Sequence, residues 1–312
     1  MDFGGENLNG VLNLIKPPGM TSFDATAFIR RLLHVKKAGH CGTLDPDATG
    51  VLPVCVGTAT KVAGMLTDTR KAYRVEAVAG LLTDTLDLSG TVIAEDSRRL
   101  PDRETVSLAL GSFAGVHMQT PPMFSAVKID GRKLYDLARK GIEAAPAPRP
   151  VEIHKIAAVS VNPDRLIFDV ECSKGTYIRA LCRDLGDRLG AYLCMSFLIR
   201  TKSAGLSIDN SLTIEKIIRL KNENAINNAL IPADELLAGY IKIELTDGQY
   251  NRFMNGAAVN IGRTADYAAQ PALAYRDGRF VGLGEIFALD AESAVLRAKK
   301  LFIEPDGRRN DA

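Results

Sequence analysis

The chain has 312 residues, of which 46% are hydrophobic and 24% are charged. This composition is typical of a globular protein and excludes a disordered, collagen-like or coiled-coil chain, while the length predicts about two domains. The formal net charge of +2 indicates no partner by itself, so any surface for nucleic acid must come from local clusters of cations.

The five cysteines are odd in number and form no Cys-x-x-Cys pair, which disfavours a disulfide framework or a zinc site. The opening sequence MDFGGENLNG has neither the basic nor the apolar region of a signal peptide, and no stretch approaches roughly 18 uncharged apolar residues. We therefore expect a cytoplasmic protein that makes no contact with a membrane.

A strand and an amphipathic helix open the chain. Val11–Ile15 predicts a buried strand, and the turn Lys16-Pro17-Pro18-Gly19 ends it. Thr21-Ser22-Phe23-Asp24 resembles a capping box, so a helix is expected to begin there. The apolar face of that helix consists of Ala25, Phe28, Ile29, Leu32 and Leu33.

Residues 30–40 carry four fixed positive charges and no acidic residue, directly before a glycine-rich loop. The four are Arg30, Arg31, Lys36 and Lys37. Such a cluster is suited to holding an anionic RNA backbone, but it is about as typical of a solvated helix face. Charge alone leaves both interpretations open.

The stretch Gly39–Pro53 holds three glycines and two prolines, which predicts a fixed loop. Asp45 precedes Pro46, and a residue before proline is driven out of the helical region, so its carboxylate is held away from any helix cap. The alternative is that Asp45 and Asp47 only form Asx turns. The loop also matches the first half of an EF-hand, but Val56 stands where the bidentate Glu is required, so we exclude a metal here.

Three elements follow this loop. Val51–Val56 predicts a strand, placed near a sheet edge because it contains Pro53, and Thr58–Leu66 predicts a helix. Tyr73–Gly80 alternates apolar and polar residues and predicts a half-buried strand. The next turn supplies two further carboxylates, one of which is Asp87.

After a predicted helix at Pro101–Phe113, the chain enters a basic segment, Gln119–Arg149. It holds six cations and three acids, a local excess of three positive charges. Phe124 and Tyr135 are interleaved with them. This pattern fits RNA contact, because cations meet phosphates and aromatic faces meet bases. A solvated insertion explains the charge nearly as well.

Arg179 occupies an unusual position for a cation. Leu166–Val170 predicts a strand and Tyr177–Leu189 a helix, so Arg179 stands in the first helical turn. A cation there opposes the helix dipole, which predicts a specific carboxylate partner for it. Phe197–Lys202 predicts a further strand and Thr213–Leu230 a further helix.

The last part of the chain changes character near Leu237–Lys242, where short strands and glycines begin. Asp277-Gly278, between two apolar runs, is a strong signal for a type I′ hairpin. These features predict a small β-rich domain.

The chain lacks the nucleophile elbow, the P-loop, the dinucleotide fingerprint and the zinc-protease motif. Asp45 is the best-presented reactive group, and Arg179, Tyr73, His40 and the basic stretches accompany it. This combination fits a cofactor-free reaction on a nucleotide, although spacing alone does not indicate which one.

Five motifs, spanning about residues 10–200, resemble the successive motifs of the TruB-type tRNA pseudouridine-55 synthases. They are GVLNLIKPPGMTSFD, GHCGTLDPDATGVLPV, KAYRVEAVAGLLTDTLDLSG, TPPMFSAVKIDGRKLYDLARKG and CSKGTYIRALCRDLG. One motif alone would be weak evidence, whereas five in the family's order with matching intervals identify the family.

The resemblance implies isomerisation of the uridine at position 55 in the T loop of tRNA to pseudouridine, without cofactor or metal. The base is flipped out, detached from C1′ and rejoined through C5. Asp45 corresponds to the catalytic aspartate, which either attacks the nucleotide or abstracts the C2′ proton. Tyr73 corresponds to the tyrosine that stacks on the base. Arg179 corresponds to the arginine that pairs with the aspartate, and Asp87 to the carboxylate that holds this arginine.

Four further substrate-binding residues are implied in the same way. His40 corresponds to the histidine that fills the space left by the extruded base, whose removal costs a few kcal/mol. Lys16 and Pro17 correspond to a loop that lines the site. Leu198 corresponds to an apolar wall near the base.

The fold implied by the resemblance is α+β, with a mixed, largely antiparallel central sheet flanked by helices. Residues 1–238 would form the catalytic domain, with an RNA-gripping insertion at about 119–150, and residues 239–312 a PUA-like RNA-binding domain. The expected partner is the T-arm stem-loop of tRNA, and no protein partner is indicated. The alternative is a non-catalytic tRNA-binding chaperone, which would produce no new nucleoside.

Overall fold

The computed structural model describes residues 8–129, 131–142, 144, 146–262, 270–289 and 293–302. Residues 1–7, Asp130, Glu143 and Ala145 of the basic segment, and residues 263–269, 290–292 and 303–312 of the predicted C-terminal domain lie outside this description. The strands are Gly10–Lys16 (β1), Ala38–His40 (β2), Thr49–Val56 (β3), Lys71–Ala79 (β4), Leu81–Thr83 (β5), Val92–Glu95 (β6), Gly115–Gln119 (β7), Lys128–Ile129 (β8), Arg132–Lys133 (β9), Arg149–Asn162 (β10), Arg165–Cys172 (β11), Leu193–Ser203 (β12), Leu206–Ser207 (β13), Ile241–Glu244 (β14), Val259–Gly262 (β15), Pro271–Arg276 (β16), Arg279–Ala288 (β17) and Ala294–Leu301 (β18). The α-helices are Ser22–Leu32 (α1), Ala63–Thr67 (α2), Arg103–Gly111 (α3), Leu134–Ala138 (α4), Ile178–Leu189 (α5), Ile214–Asn222 (α6) and Asp247–Met254 (α7).

A nine-stranded sheet organises the first part of the chain. Its strands follow the order β1-β3-β12-β4-β11-β10-β7, with β2 added on β3 and β13 on β12. The pair β3–β12 is parallel, and the other pairs of this sheet are antiparallel. The sheet is therefore mixed and largely antiparallel, as predicted.

Helices cover this sheet through two apolar clusters. In one, the inward residues of β4, such as Val75, pack with Phe168 of β11 and with Leu181 and Leu185 of α5. In the other, Ile29 of α1 packs on leucines of β1 and β3. Helix α1 begins as its capping sequence predicts, since the Thr21 hydroxyl accepts a hydrogen bond from the Asp24 amide at 3.0 Å.

A five-stranded sheet, in the order β14-β16-β17-β18-β15, forms the last part of the chain. Strands β16 and β17 are joined at Asp277 and Gly278, whose φ angles are 50° and 69°, so the predicted type I′ hairpin is confirmed. This sheet packs on the first one. Leu273 and Leu283 share an apolar cluster with Val11 and Val51, although Val11 and Val51 belong to the first sheet.

Pro53 predicts a strand near a sheet edge, and β3 is the second strand of the sheet, next to the terminal strand β1. Strand β3 lies between β1 on one side and β2 and β12 on the other. The Pro53 carbonyl accepts a hydrogen bond from the Cys41 amide at 2.9 Å. Since the nitrogen and carbonyl of an extended residue point to the same side, the missing N–H of Pro53 falls just beyond the last pair of β2, His40 with Val54. Proline therefore costs little there.

The predicted helix at Thr213–Leu230 is too long. Helix α6 ends at Asn222, and Asn224 then adopts a left-handed φ of 54°. The Ala225 amide donates back to the Leu220 carbonyl at 2.8 Å, which ends the helix in a Schellman-type turn. Asparagine tolerates this conformation, so it acts here as the stop signal.

The predicted helix at Thr58–Leu66 divides into a 3₁₀ helix, Gly57–Val62, and the short α2. The predicted helix at Pro101–Phe113 is present as α3. Among the described residues, none of the helices combines the length and the apolarity needed to cross a membrane.

Candidate active site

Asp45 stands in the loop that joins β2 to β3, residues 41–48, which we call the Asp45 loop. The Asp45 carbonyl accepts a hydrogen bond from the Ala48 amide at 3.2 Å, which closes a turn around Pro46. The Asp45 side chain remains 39% exposed. A carboxylate on a fixed turn is therefore left open to a ligand.

Arg179 forms an ion pair with this carboxylate. Its Nε lies 3.0 Å from Oδ2 of Asp45, and its Nη2 lies 3.3 Å from Oδ1. The Arg179 side chain is only 8% exposed, because it stands in the first turn of α5, whose inner face is buried. The pair is bidentate, so the guanidinium fixes the orientation of the carboxylate.

Two carbonyls and a second carboxylate complete the surroundings of Arg179. The guanidinium donates to the carbonyls of Thr85 and Phe124 at 2.9 and 3.1 Å. Its Nε also lies 3.5 Å from Oδ2 of Asp87. The two anions offset the unfavourable position of a cation at a helix N-terminus.

Asp87 is itself held by its own turn. Its Oδ1 accepts hydrogen bonds from the Thr85 hydroxyl at 2.7 Å and from the hydroxyl and amide of Ser89 at 2.5 and 3.1 Å. Leu86, directly before it, has a left-handed φ of 64°, which is unusual for a leucine. The strained turn presents the second oxygen of Asp87 to Arg179.

Tyr73 and Leu198 pack in the apolar cluster that adjoins the Asp45 loop. Both are buried, with 8% and 6% exposure, and both belong to the cluster that contains Leu44 of the Asp45 loop. Burial raises the pKa of Tyr73 to about 12, and the nearby Asp45 charge acts in the same direction. The phenol is therefore neutral at physiological pH and can donate or accept a proton in a hydrogen bond.

Lys16 holds the far side of the Asp45 loop. It is fully buried, and its ammonium donates to the carbonyls of Pro17, Met20 and Pro46 at 2.8, 2.6 and 2.8 Å. Burial lowers the pKa of Lys16 to about 8, although Asp47 and Asp45 oppose this shift. Lys16 and Pro17 are thus part of the frame of the loop.

His40 lies on β2 and makes no described hydrogen bond or ion pair with Asp45 or Arg179. Burial, followed by the nearby Arg200 charge, lowers the pKa of His40, so the imidazole is neutral at pH 7. Its buried Nδ1 has no hydrogen-bond partner within the described part of the chain. The structure thus brings Asp45 and Asp87 into contact with Arg179, and it shows no contact of His40 with this group among the described residues.

Arg200, on β12, was not identified by the sequence. Its side chain is fully buried, and in the part of the chain that the structure describes it forms no ion pair with a carboxylate. Instead Nε donates to the carbonyl of Val51 at 2.7 Å, and the two terminal nitrogens donate to those of Thr43 and Gly42 at 3.2 and 3.1 Å. Tyr73 is the cross-strand neighbour of Arg200, whose charge acts to lower the pKa of the tyrosine against the larger effect of burial.

Ser22 was read from the sequence only as part of a helix cap. Its hydroxyl accepts a hydrogen bond from the Leu44 amide at 2.9 Å and donates to the Leu44 carbonyl at 3.2 Å. Together with Lys16 and Arg200, it binds backbone groups on both sides of Asp45. A capping sequence gives no signal for such a distant contact, so only the structure reveals it.

Among the described residues, no group of three or more His, Cys, Asp or Glu side chains is placed to hold a metal ion. The cofactor-free reaction stays a prediction. What the arrangement offers chemically is an oriented carboxylate beside a neutral phenol and an apolar cluster.

Comparison with known proteins gives the class of this site. Residues 30–178 match the model of the TruB family pseudouridylate synthase (N terminal domain). The matched region contains Asp45, Tyr73 and Asp87, and it ends one residue before Arg179. The match indicates the fold class of a pseudouridylate synthase.

Relatives of known name extend the match to the whole chain. The tRNA pseudouridine synthase B of Alkaliphilus oremlandii (strain OhILAs) is 40% identical over 304 residues, which cover 96% of this chain and 100% of the relative. The protein of the same name from Clostridium tetani (strain Massachusetts / E88) is 43% identical over 282 residues, 89% of this chain and 96% of the relative. The chain belongs to the TruB family of pseudouridylate synthases, as its motifs predicted.

Solved structures confirm the fold. A chain from the crystal structure of a Cbf5-Nop10-Gar1 complex superposes with a TM-score of 0.74 at 24% identity, covering 95% of this chain and 85% of that one. A chain from the structure of an H/ACA RNP bound to a substrate RNA containing 2′-deoxyuridine gives a TM-score of 0.72 at 22% identity, covering 95% and 86%. The predicted combination of a mixed central sheet with a β-rich C-terminal sheet is confirmed.

Proposed function

We propose that this enzyme isomerises the uridine at position 55, in the T loop of tRNA, to pseudouridine. The observation that carries the proposal is the half-exposed Asp45 carboxylate, bound in bidentate fashion by the buried Arg179. The names of the relatives support tRNA as the substrate. The enzymatic hypothesis is therefore favoured over that of a tRNA-binding chaperone.

Asp45 acts as an ionised carboxylate, either by attack on the nucleotide or by abstraction of the C2′ proton. The bond between N1 of the base and C1′ of the ribose breaks, the base turns, and a bond forms between C5 and C1′. The proton on C5 is then lost, and N1 gains one, so the product is an isomer of the substrate. Arg179 keeps the carboxylate oriented through these steps.

The groups around Asp45 bind the flipped base. Tyr73 stacks on the pyrimidine, and its neutral hydroxyl assists the loss of the C5 proton. Leu198 forms the apolar wall. His40, neutral and without a partner for Nδ1 among the described residues, fills the space that the base leaves in the RNA. Lys16 and Pro17 line the loop below.

RNA contacts extend beyond the reacting nucleotide. In this proposal residues 1–238 are the catalytic domain, the insertion at about 119–150 grips the RNA, and residues 239–312 form a PUA-like RNA-binding domain. The described cations Lys128, Arg132, Arg139 and Lys140 line an open depression of about 660 Å³, which suits a phosphate backbone. A tRNA substrate implies a cytoplasmic enzyme.

The decisive experiment is conversion of a minimal T-arm stem-loop RNA. Pseudouridine is scored by carbodiimide-dependent stops of reverse transcription at the target position. We expect a stop with the wild-type protein and a loss of at least about a thousandfold in rate with Asp45→Asn, because the reacting carboxylate is removed. RNA binding by that variant should persist.

Asp47→Asn is the matched control, since it removes the same charge from the same loop. It should retain activity, because Asp47 makes no contact with Arg179 in the described structure. A folded wild-type protein that binds the stem-loop and leaves no stop would overturn the proposal. Full turnover by Asp45→Asn would overturn the role of the aspartate.

A further inference from the structure

Helix α1 buries one face and exposes a strip of a different character. Ala25 and Ile29 are fully buried, whereas Phe23 is 74% exposed, the largest exposed fraction among the large apolar residues of the described chain. Arg30 and Arg31, seven and eight residues further on, are also exposed. Positions i, i+7 and i+8 share one side of a helix, so the aromatic ring and the two guanidinium groups lie on the same surface.

This surface begins at the Asp45 loop. The Ser22 hydroxyl, on the residue before Phe23, is bonded to both backbone groups of Leu44. The Gly19 amide donates to the Pro46 carbonyl at 3.0 Å. Because these contacts flank Asp45 on both sides, the start of α1, which carries Phe23, is tied to the Asp45 loop.

The cations of the surface are not used inside the protein. In the described part of the chain, none of Arg30, Arg31, Lys36 and Lys37 takes part in an ion pair. Residues 25–44 contain no acidic residue. Asp24, the acid nearest to them in sequence on the N-terminal side, is bonded to the Thr21 hydroxyl at the helix cap. The surface therefore carries an uncompensated positive charge that continues to β2.

An exposed phenylalanine beside free arginines has a recognisable chemistry. A solvated helix face explains exposed cations, and Arg30 and Arg31 also suit the C-terminal turn of a helix. Neither explanation accounts for an exposed aromatic ring next to an active site. Binding of single-stranded RNA accounts for it, because unpaired bases stack on aromatic rings while cations bind the phosphates.

We propose that the exposed face of α1 is a binding site for the RNA strand next to the target uridine. Phe23 stacks on an unpaired base that leaves the active site, and Arg30 and Arg31 bind the phosphates that follow it. The inference rests on the proposed function for its substrate, an RNA loop, and adds a second RNA-binding surface to that of the basic segment. The Cα atoms of Phe23 and Arg30 lie about 10 Å apart along the helix axis.

Binding of the T-arm stem-loop to the full-length protein tests this site. We expect Phe23→Ala to raise Kd about tenfold, as the loss of one stacked base does. Phe23→Trp should retain the affinity, and Phe23→Leu should lose it, because only an aromatic face stacks. The combined variant Arg30→Gln with Arg31→Gln should reduce the slope of log Kd against log salt by about 1.5, since two phosphate contacts are lost.

Matched controls use residues of equal exposure elsewhere. Leu108 on α3 is 71% exposed, and Leu108→Ala should bind as the wild type does. Arg219, in the last turn of α6, is 68% exposed and lies 3.9 Å from Glu223, so Arg219→Gln should leave the salt slope unchanged. Equal losses in these controls would overturn the proposal, as would wild-type affinity and slope in the α1 variants.

Single-turnover conversion at saturating RNA separates this inference from the proposed function. The α1 variants should convert bound RNA within about twofold of the wild-type rate, because Phe23 and the arginines act on binding. If the wild type produced no pseudouridine, the proposed function would fail, whereas the binding measurements would still decide the role of α1. Altered conversion with unaltered binding would overturn the role assigned to α1.

Discussion

The Asp45 loop and the basic segment look alike in sequence but differ in how the protein holds them. Both are rich in turn-forming residues and lie next to cations. The cations that contact the Asp45 loop, Lys16 and Arg200, are fully buried and donate to backbone carbonyls. In the basic segment the described cations Arg132 and Arg139 are exposed.

The difference assigns different tasks to the same kind of charge. A buried cation that satisfies carbonyls fixes backbone and costs desolvation, which suits a loop that must present one carboxylate in one orientation. An exposed cation keeps its side-chain freedom until a phosphate arrives. The two regions meet at Arg179, which bonds to Asp45 and to the Phe124 carbonyl of the basic segment.

Among changes that test the difference between the two regions, removal of Arg200 should have the largest effect on stability and rate. Arg200→Met leaves three carbonyls without their donor, so we expect a loss of roughly 4 kcal/mol in the free energy of unfolding. The surviving folded enzyme should convert bound RNA about a hundredfold more slowly, because the Asp45 loop and Tyr73 are displaced. Urea unfolding and single-turnover rates measure the two effects.

Arg200→Lys, which keeps a buried cation, should lose less on both measures. Arg132→Met in the basic segment should leave the unfolding free energy unchanged. A folded Arg200→Met enzyme that converts RNA at the wild-type rate would contradict the role given to Arg200.

Gly50→Ala tests whether the end of the Asp45 loop is fixed by close packing. Gly50 has a φ of 109°, and an added Cβ would lie 2.2 Å from the Arg200 carbonyl oxygen. We expect a destabilisation of roughly 3 kcal/mol, measured by thermal or urea unfolding. Gly64→Ala in α2, where a Cβ would meet nothing within 4 Å, should be neutral or stabilise by less than about 1 kcal/mol. Equal effects at the two glycines would argue against a tightly packed loop.

The pH dependence of the reaction should reveal Lys16. Its pKa is lowered to about 8, so its amine loses a proton above that pH and keeps two N–H donors for three carbonyls. We expect the rate on bound RNA to fall as pH rises through 8. Lys16→Arg, which stays charged, should flatten the profile if it is active at lower pH. An unchanged profile in that variant would contradict the assignment.

Through the same Lys16 proton, the free energy of unfolding should rise with pH over the range in which the rate falls. Between pH 8 and the ordinary lysine value of 10.5, the unfolded chain holds a proton that the folded chain has released. This group therefore adds to the free energy of unfolding as pH rises through the window. Comparison of urea midpoints at two pH values, for the wild type and Lys16→Arg, measures its contribution.

The smallest effect on stability is expected in the basic segment. Arg132→Gln with Arg139→Gln should change the unfolding free energy by less than about 0.5 kcal/mol, because both side chains are exposed. The salt slope of RNA binding should nevertheless decrease by about 1.5. A clear loss of stability would show that this segment is fixed like the Asp45 loop.

Local patterns were sufficient for much of the fold and part of the site. Alternation in β4 and the Asp277-Gly278 hairpin are written in neighbouring residues, so the sequence predicts them directly. The position of Arg179 against a helix dipole predicted a carboxylate partner, and Asp45 lies there. Each of these inferences depends on a few adjacent positions.

Contacts between distant residues could not be predicted in this way. Arg200 is 157 residues from Thr43, and a single arginine in a strand ordinarily indicates a solvent-exposed position. Only the register of β12 between β3 and β4 brings it under the Asp45 loop. The strands that flank Pro53 on both sides could not be predicted for the same reason, since the order of strands in a sheet is not a local property.

The two sheets share one apolar cluster, in which Val11 and Val51 meet Leu273 and Leu283. Separation of the two sheets would expose both apolar surfaces to water at once. We therefore expect the two sheets to unfold together and calorimetry to record a single peak. A chain severed between them would leave two aggregation-prone fragments instead of two smaller proteins.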